Sequence, residues 1–322
     1  MNQTLSDQCS PDLVRTFTEG KSGLNSSPLS AQDRDTTAPI PCVIGRRYVT
    51  KARLGIGGYG DVLLAQGPCP DGVERWVAIK SLLLRMRHNP TAVARLQREA
   101  MLLRTLHHSG VPQIYDWLPS EFAIVLQIAK GEHLSGILDG SYGDRPSVLR
   151  AVFVALLDIL CYLHDLGVCH RDVKPSNILA DLTIGGAPRV TLLDFGLAAR
   201  LGTNRKMAAS EKPLTQSGVP IGSPRYMSPE QCRGRGVTLS SDVYSVGVML
   251  YEAVCGHHPY QAQTAVGFLS AHLTAEPRVV LPTSRGGSSI LQVALAALAK
   301  EPADRPTARV LRSALLSQRD DS

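Results

Sequence analysis

The period of the apolar positions changes along the chain, and each change marks a predicted element. Residues 1–44 are rich in Ser, Thr, Asp, Gln and Pro and hold no sustained period, which predicts a disordered arm. From Tyr48, "YVTKARLGIGGYGDVLLAQG" and "ERWVAIKSLLL" read as strands bounded by glycines. Asn89-Pro90 then opens a helix, "TAVARLQREAMLLRTLHH", with apolar residues at 93, 96, 100 and 103. Short strands, "FAIVLQI" among them, run to about residue 128. Beyond that point "SVLRAVFVALLDILCYLHDLG" predicts a long amphipathic helix stopped by Gly167. "SDVYSVGVMLYEAVCG" is apolar nearly all round and predicts a buried helix. Strands first and helices later, with one helix among the strands and no internal repeat, predict an α+β protein of two unequal lobes.

Composition narrows the class without naming it. The 322 residues are 43% apolar and 19% charged, as in a soluble globular protein with ample core. A net charge of +6 suits a protein that handles anions and equally an ordinary basic surface. Aromatic residues are too sparse, and Lys and Arg too scattered, for a nucleic-acid stacking platform. The seven cysteines are dispersed, odd in number and without a CxxC pair, which points to a reducing compartment and no zinc site. The N-terminus lacks a signal pattern. The longest apolar stretch is broken by Arg150 and Asp158, so no membrane span of about 20 residues is expected. The expectation is a cytoplasmic protein.

Four stretches carry chemistry. In "GIGGYGDV" the loop Gly55, Ile56, Gly57, Gly58, Tyr59 and Gly60 sits between two strand patterns, where bare backbone can approach phosphates. A dinucleotide-binding turn would need a helix to start there, whereas "DVLLA" continues as strand. A glycine-rich hairpin without ligand stays open on these residues alone. "VAIK" ends in Lys80, and Glu99 shares the buried stripe of its helix with Leu96 and Leu103. An inward carboxylate needs a cation, and Lys80 is the candidate. In "LLDFGLA", Asp194 follows an apolar strand and can offer oxygen to a hard divalent cation, or simply end a turn. Finally, "GVCHRDVKPSNILA" places His170, Arg171, Asp172, Lys174 and Asn177 between apolar flanks, where polar groups are costly unless paired or used. Asp172 suits a group that takes a proton from an attacking hydroxyl, Asn177 a metal ligand, and Lys174 a counter-charge for a phosphoryl group. His170 suits a packed, structural role.

In this order, with inward Glu99, the motifs form the protein-kinase signature set. Over roughly Tyr48 to Leu316 the chain resembles the eukaryotic-like (Hanks-type) Ser/Thr protein kinases, their bacterial members most closely. The resemblance implies a bilobal α+β fold: an arm to 44, a small β lobe over 45–128, a large helical lobe over 129–316 and a tail over 317–322. It implies ATP and Mg2+, with Mn2+ as a substitute, and protein substrates bearing Ser or Thr. Val62 and Ala78 would cover the adenine ring, Leu126 would stand as gatekeeper, and Gln127-Ile128 would supply hinge backbone. Leu103, His170 and Phe195 would belong to an apolar spine anchored by Asp242. Lys174 matches Ser/Thr rather than tyrosine kinases.

"GSPRYMSPEQ" resembles the end of an activation segment. There Glu230 would pair with Arg305, and Ser223 would hydrogen-bond Asp172 and Lys174. Arg171, directly before Asp172, would order that segment through a phosphate held in its guanidinium fork. Thr215 and Ser217 are the expected autophosphorylation sites. A homodimer through the small lobe follows from family analogy alone. "ADLTIGGAPRV" makes the connection from Asn177 to Asp194 longer than usual, with a hairpin at Gly185-Gly186. Two rivals are weighed. A pseudokinase scaffold should have lost Lys80, Asp172, Asn177 or Asp194, and all four are present; a small-molecule kinase should lack the "SPE" segment.

Overall fold

The computed structural model describes residues 42–139, 146–182, 186–201, 223–278 and 287–317. Most of the arm, Gly185, Thr215 and Ser217 lie outside the described residues. The chain divides into two units, one reaching His107 and including Pro112–Lys130, the other formed by His108–Val111 and everything from Gly131.

The first unit is an antiparallel sheet with one helix. Its strands are β1 (Val43–Ile44), β2 (Tyr48–Ile56), β3 (Gly60–Pro68), β4 (Glu74–Leu82), β5 (Ile114–Leu118) and β6 (Ala123–Gln127), in the spatial order β1-β2-β3-β4-β6-β5. Alternation along β4 assigns its two faces. Val77 and Ile79 are fully buried with Tyr48, Ala65, Leu118 and Val125, whereas Ala78 and Lys80 are half-buried on the opposite face. The helix α1 (Pro90–Leu103) begins where the sequence places it, because the Asn89 side chain accepts the amide protons of Thr91 and Ala92. Its apolar stripe, Ala92, Leu96 and Ala100, packs on Leu82 and Ile124. The sequence reading carries this helix to 108, five residues too far.

The second unit is mostly helical. Glu132–His133 (β7) pairs with Ile178–Asp181 (β9), which forms an antiparallel hairpin with Arg189–Leu192 (β10). Val168–Cys169 (β8) pairs with Ala199–Arg200 (β11). The helices follow as α2 (Leu134–Asp139), α3 (Pro146–Asp165), α4 (Pro229–Cys232), α5 (Leu239–Cys255), α6 (Ala265–Thr274), α7 (Gly287–Ala297) and α8 (Ala308–Ser317). By length and composition α3 could cross a membrane. Its residues Val152, Phe153, Leu156, Leu160 and Leu163 are instead buried within this unit, where the helix packs on α5, α8 and β10. The helix α5 is buried from Ser241 to Tyr251, as its all-round apolar pattern predicts. Gly256, at φ 70°, ends it in the left-handed conformation.

One ion pair ties α4 to the loop before α8. The Arg305 guanidinium donates to both carboxylate oxygens of Glu230 at 2.8 Å. Its remaining donors go to the carbonyls of Ala299, Ser240 and Lys300, so all five N–H groups are used. Burial alone raises the Glu230 pKa, but Arg305 and the Ser241 hydroxyl more than offset it and hold the carboxyl below its ordinary range. A depressed carboxyl stabilises the fold above its unfolded pKa, about 4.3, and that stability is lost as pH falls through the folded value. Arg305→Met is therefore expected to lower unfolding stability at pH 7 by about 3–5 kcal/mol. It should also move the acid transition to higher pH, read by chemical denaturation from pH 7 down to pH 3.

Candidate active site

In the first unit the site is a matter of register. Directly opposed residues of an antiparallel ladder share a face. Val62 pairs with Lys80, Lys80 with Ile124, and Ala78 with both Leu64 and Leu126. Val62, Ala78, Lys80 and Leu126 therefore line one face of the sheet, and all four are half-buried. The same face is covered near Ile124 and Leu82 by α1. From that helix Glu99, 3% exposed, places both oxygens 2.7 Å from the Lys80 Nζ.

The glycine loop between β2 and β3 closes with the Gly57 amide donating to the Gly60 carbonyl at 2.8 Å. Gly60 is needed for close approach, because a Cβ there would collide with the Ser81 carbonyl. Gly55 and Gly58 have open space around them, so packing within the chain does not require glycine there. The Gln127 amide is engaged by the Gln113 carbonyl at 2.7 Å, so its carbonyl is the group left to the hinge expectation.

In the second unit the site is a strained loop held by one carboxylate. Arg171 has φ 68° and Asp194 φ 61°, values that L-residues avoid at a cost of about 1–3 kcal/mol each. Asp242, buried on α5, accepts the amide protons of His170 and Arg171 on its two oxygens, at 2.9 Å each. The His164 Nε2 lies 3.0 Å from the same carboxylate. Burial raises the Asp242 pKa, but the hydrogen bond from His164, the electrostatic attraction of the nearby His164 and His170 rings and the His170 amide outweigh it, so the carboxyl sits below its ordinary range.

The His170 ring is fully buried and works as a brace. Its Nε2–H donates to the Leu193 carbonyl at 3.0 Å, its Nδ1 accepts the Asp172 amide at 3.3 Å, and it packs edge-on against Phe195. The Leu193 amide also donates to the Asn177 carbonyl at 2.7 Å. Leu193 is thereby clamped on both sides, immediately before the left-handed turn at Asp194.

Asp172 collects the polar side chains of this loop. Its Oδ2 accepts from Lys174 Nζ at 2.7 Å and from Asn177 Nδ2 at 3.0 Å. Asn177 Nδ2 also donates to the Asp172 carbonyl at 2.9 Å, which leaves its amide oxygen as a donor atom for a ligand. Among the described residues, no hydrogen bond falls on Asp172 Oδ1. An amide oxygen from Asn177 and the carboxylate of Asp194 are hard oxygen donors, a set that fits a divalent cation completed by phosphate and water.

Ser223 does not join this cluster. Its side chain bonds neither Asp172 nor Lys174, whose Oδ2 and Nζ are already paired with each other. It instead precedes the turn Pro224–Tyr226. Contact with the loop comes from a residue the sequence reading passed over: Gln231 Nε2 donates to the Arg171 carbonyl at 2.8 Å. Gln231 also completes the capping box of α4 with Ser228. Glu252 is a second such residue, accepting the Tyr226 hydroxyl at 2.8 Å and Arg225 at 3.1 Å.

A sheet with its lysine–glutamate pair, and a helical unit with an Asp-Lys-Asn loop and an Asp-Phe-Gly turn, together define the protein-kinase class. The family described as "Protein kinase domain" matches residues 48–315, and the chain belongs to it. Family membership implies ATP and a divalent metal. The chain is 34% identical over 278 residues to the serine/threonine-protein kinase pkn3 of Myxococcus xanthus, covering 84% of this chain and 50% of that protein. It is 33% identical over 286 residues to the serine/threonine-protein kinase PknB of Mycobacterium tuberculosis, covering 86% of this chain and 43% of that protein. The chain thus spans about half the length of these relatives.

The Lys80–Glu99 pair makes its own prediction. Lys80→Met leaves a buried carboxylate without its cation, whereas Lys80→Met with Glu99→Gln leaves no charge. A double-mutant cycle by urea denaturation should give a coupling of about 1–2 kcal/mol, discounted because the lysine is a quarter exposed. Additive losses would show the pair to be energetically idle.

Proposed function

We propose that this chain is a Ser/Thr protein kinase that transfers the γ-phosphoryl group of ATP to Ser and Thr hydroxyls of proteins, itself included. The observation that carries the reading is the Asp172 carboxylate, with Lys174 and Asn177 on one oxygen and the other without a hydrogen bond among the described residues. The acceptor oxygen attacks the γ-phosphorus, its proton passes to Asp172 Oδ1, and the bond from the γ-phosphorus to the bridging oxygen breaks to release ADP. Lys174 offsets the charge that gathers on the transferred group.

Each remaining residue has a part in this reading. The loop from Gly55 to Gly60, with the Gly57 amide spent on closing it, turns its other amides to the phosphates, and Lys80, aimed by Glu99, holds them. Val62, Ala78 and Leu126 give the adenine an apolar face, and the Gln127 carbonyl with Ile128 reads its edge. Asn177 and Asp194 hold Mg2+, which supplies charge neutralisation when bound, with Mn2+ as its substitute. His170, Phe195 and Asp242 set the geometry, and Glu230 with Arg305 secures the segment that follows. Lys174 and the names of the relatives support Ser and Thr over Tyr. Arg171 receives the phosphate of Thr215 or Ser217, which lie outside the described residues. The cytoplasm as the place of action and a small-lobe homodimer are further parts of the proposal.

The test is transfer from labelled ATP and Mg2+ to the full chain and to a histone mixture, with Asp172→Asn alongside. The expected result is Ser/Thr label that falls by at least about 10³-fold in the variant, since the group acts on the proton in flight and steadies the hydroxyl. Mass spectrometry of the labelled wild type should place phosphate on Thr215 and Ser217. ATP binding without transfer by the wild type would overturn the reading, and an active protein unmodified at both residues would overturn the regulatory assignment.

A further inference from the structure

The carbonyl of Arg225, in the turn Pro224–Tyr226, is held by two imidazoles. His258 Nε2 lies 2.7 Å from it and His272 Nε2 lies 3.0 Å from it. A carbonyl oxygen has two acceptor sites, and both are taken by ring N–H groups. His258 and His272 are both buried, at 8% and 0% exposure. His258 Nδ1 lies between the Tyr260 amide at 3.1 Å and the Tyr260 carbonyl at 3.0 Å, and the shorter contact of Nε2 with the Arg225 carbonyl puts the proton on Nε2 and leaves Nδ1 to accept the amide; His272 Nδ1 lies 2.8 Å from the Tyr244 hydroxyl. With its Nε2 proton on Arg225, His272 can only accept at Nδ1, so Tyr244 donates to it. The Tyr244 and Tyr260 hydroxyls are 3.0 Å apart, and Lys300 Nζ donates to Tyr260 at 3.0 Å.

A continuous chain of hydrogen bonds results, from Lys300 through Tyr260, Tyr244 and His272 to one main-chain oxygen. Its members come from the loop after α7, the loop after α5, α5 itself and α6. Burial lowers the pKa of His258, and holds that of His272 at about 3, so neither ring carries charge near neutral pH. The next carbonyl, that of Tyr226, is held as well, by the Ser245 hydroxyl at 2.7 Å. Only a few residues farther on, Gln231 bonds the Arg171 carbonyl in the loop that carries Asp172. The Arg225 side chain is exposed, stacked on Phe268 at 5.2 Å. A carbonyl needs one donor to avoid an unpaired buried acceptor; two donors, one of them backed by Tyr244, Tyr260 and Lys300, fix its position.

We infer that His258 and His272 are positioning residues for the protein acceptor, acting through the Arg225 carbonyl to hold the turn 223–227 in register with the Asp172 loop. The inference rests on the kinase reading above. An acceptor chain that delivers its hydroxyl to Asp172 must lie on the surface beside that loop, and this turn is part of that surface. Every member of the relay belongs to the second unit, whereas Val62, Ala78, Lys80 and Leu126 belong to the first, so acceptor and nucleotide constants should separate.

The experiment is steady-state transfer by the full chain to a histone mixture, with His272→Phe, His272→Gln and Tyr244→Phe. For His272→Phe we expect kcat/KM for the acceptor to fall about tenfold with KM for ATP within about twofold of wild type. His272→Gln, which keeps a donor toward Arg225, should recover part of the loss. Tyr244→Phe keeps the ring packing and should fall between them, so the relay is still read if His272→Phe does not fold. Nitrogen-15 shifts of labelled histidines should show the Nε2–H tautomer for both rings at pH 7. An active wild type with unaltered acceptor kinetics in both His272→Phe and Tyr244→Phe would overturn the inference alone. Parallel loss of ATP and acceptor constants would reduce the relay to general support and also overturn it. A wild type that transfers nothing would remove the kinase reading and this inference with it.

Discussion

The arrangement of the large unit depends on one buried carboxylate that accepts two consecutive backbone amides. His170 and Arg171 lie where the chain must leave a two-residue strand and turn Asp172 outward, and Arg171 does so with a left-handed backbone. Such a turn presents its amides to a core that has no water to receive them, and each would cost about 1–3 kcal/mol if left unpaired. Asp242 meets both. The charge this brings into the interior is in turn met by His164 from α3. Three elements are therefore committed to a single conformation of the loop. The second strained residue, Asp194, is fixed through Leu193 by His170 and Asn177 on either side.

A different device orders the small unit. Its sheet buries Val77, Ile79 and Val125 on one face, so strict alternation turns Ala78, Lys80 and Leu126 to the other. A one-residue slip would put the lysine in the core, and the buried face forbids it. The helix α1 covers only the end of the second face, near Leu82 and Ile124, and Glu99 reaches Lys80 from there. What the helix leaves half-open is the apolar strip that an adenine ring would need.

Much of this was legible before any coordinates. Glu99 at apolar spacing and the Asn89-Pro90 start mark their roles by pattern, and the order of Gly-rich loop, lysine, Asp-Lys-Asn loop and Asp-Phe-Gly names the class. The end of α1 was not legible, because no glycine or proline stands between Leu103 and Gly110 to mark a stop. Two-residue strands such as β7, β8 and β11 are too short to carry a period. Main-chain acceptors leave no trace at all. The histidines on the Arg225 carbonyl and Gln231 on the Arg171 carbonyl read in sequence as ordinary polar residues, since the partner is backbone that any residue supplies. Asp242 reached its role by resemblance; within its own helix it is one carboxylate in an apolar run.

The claim that one carboxylate holds the loop carrying Asp172 is tested most directly by amide hydrogen exchange on the full chain and on Asp242→Ala. The account predicts that in wild type the His170 and Arg171 amides exchange as slowly as those of α5. In the variant those two should become fast while α5 between Val243 and Tyr251 stays protected. Unchanged protection at His170 and Arg171 in a folded Asp242→Ala protein would contradict it.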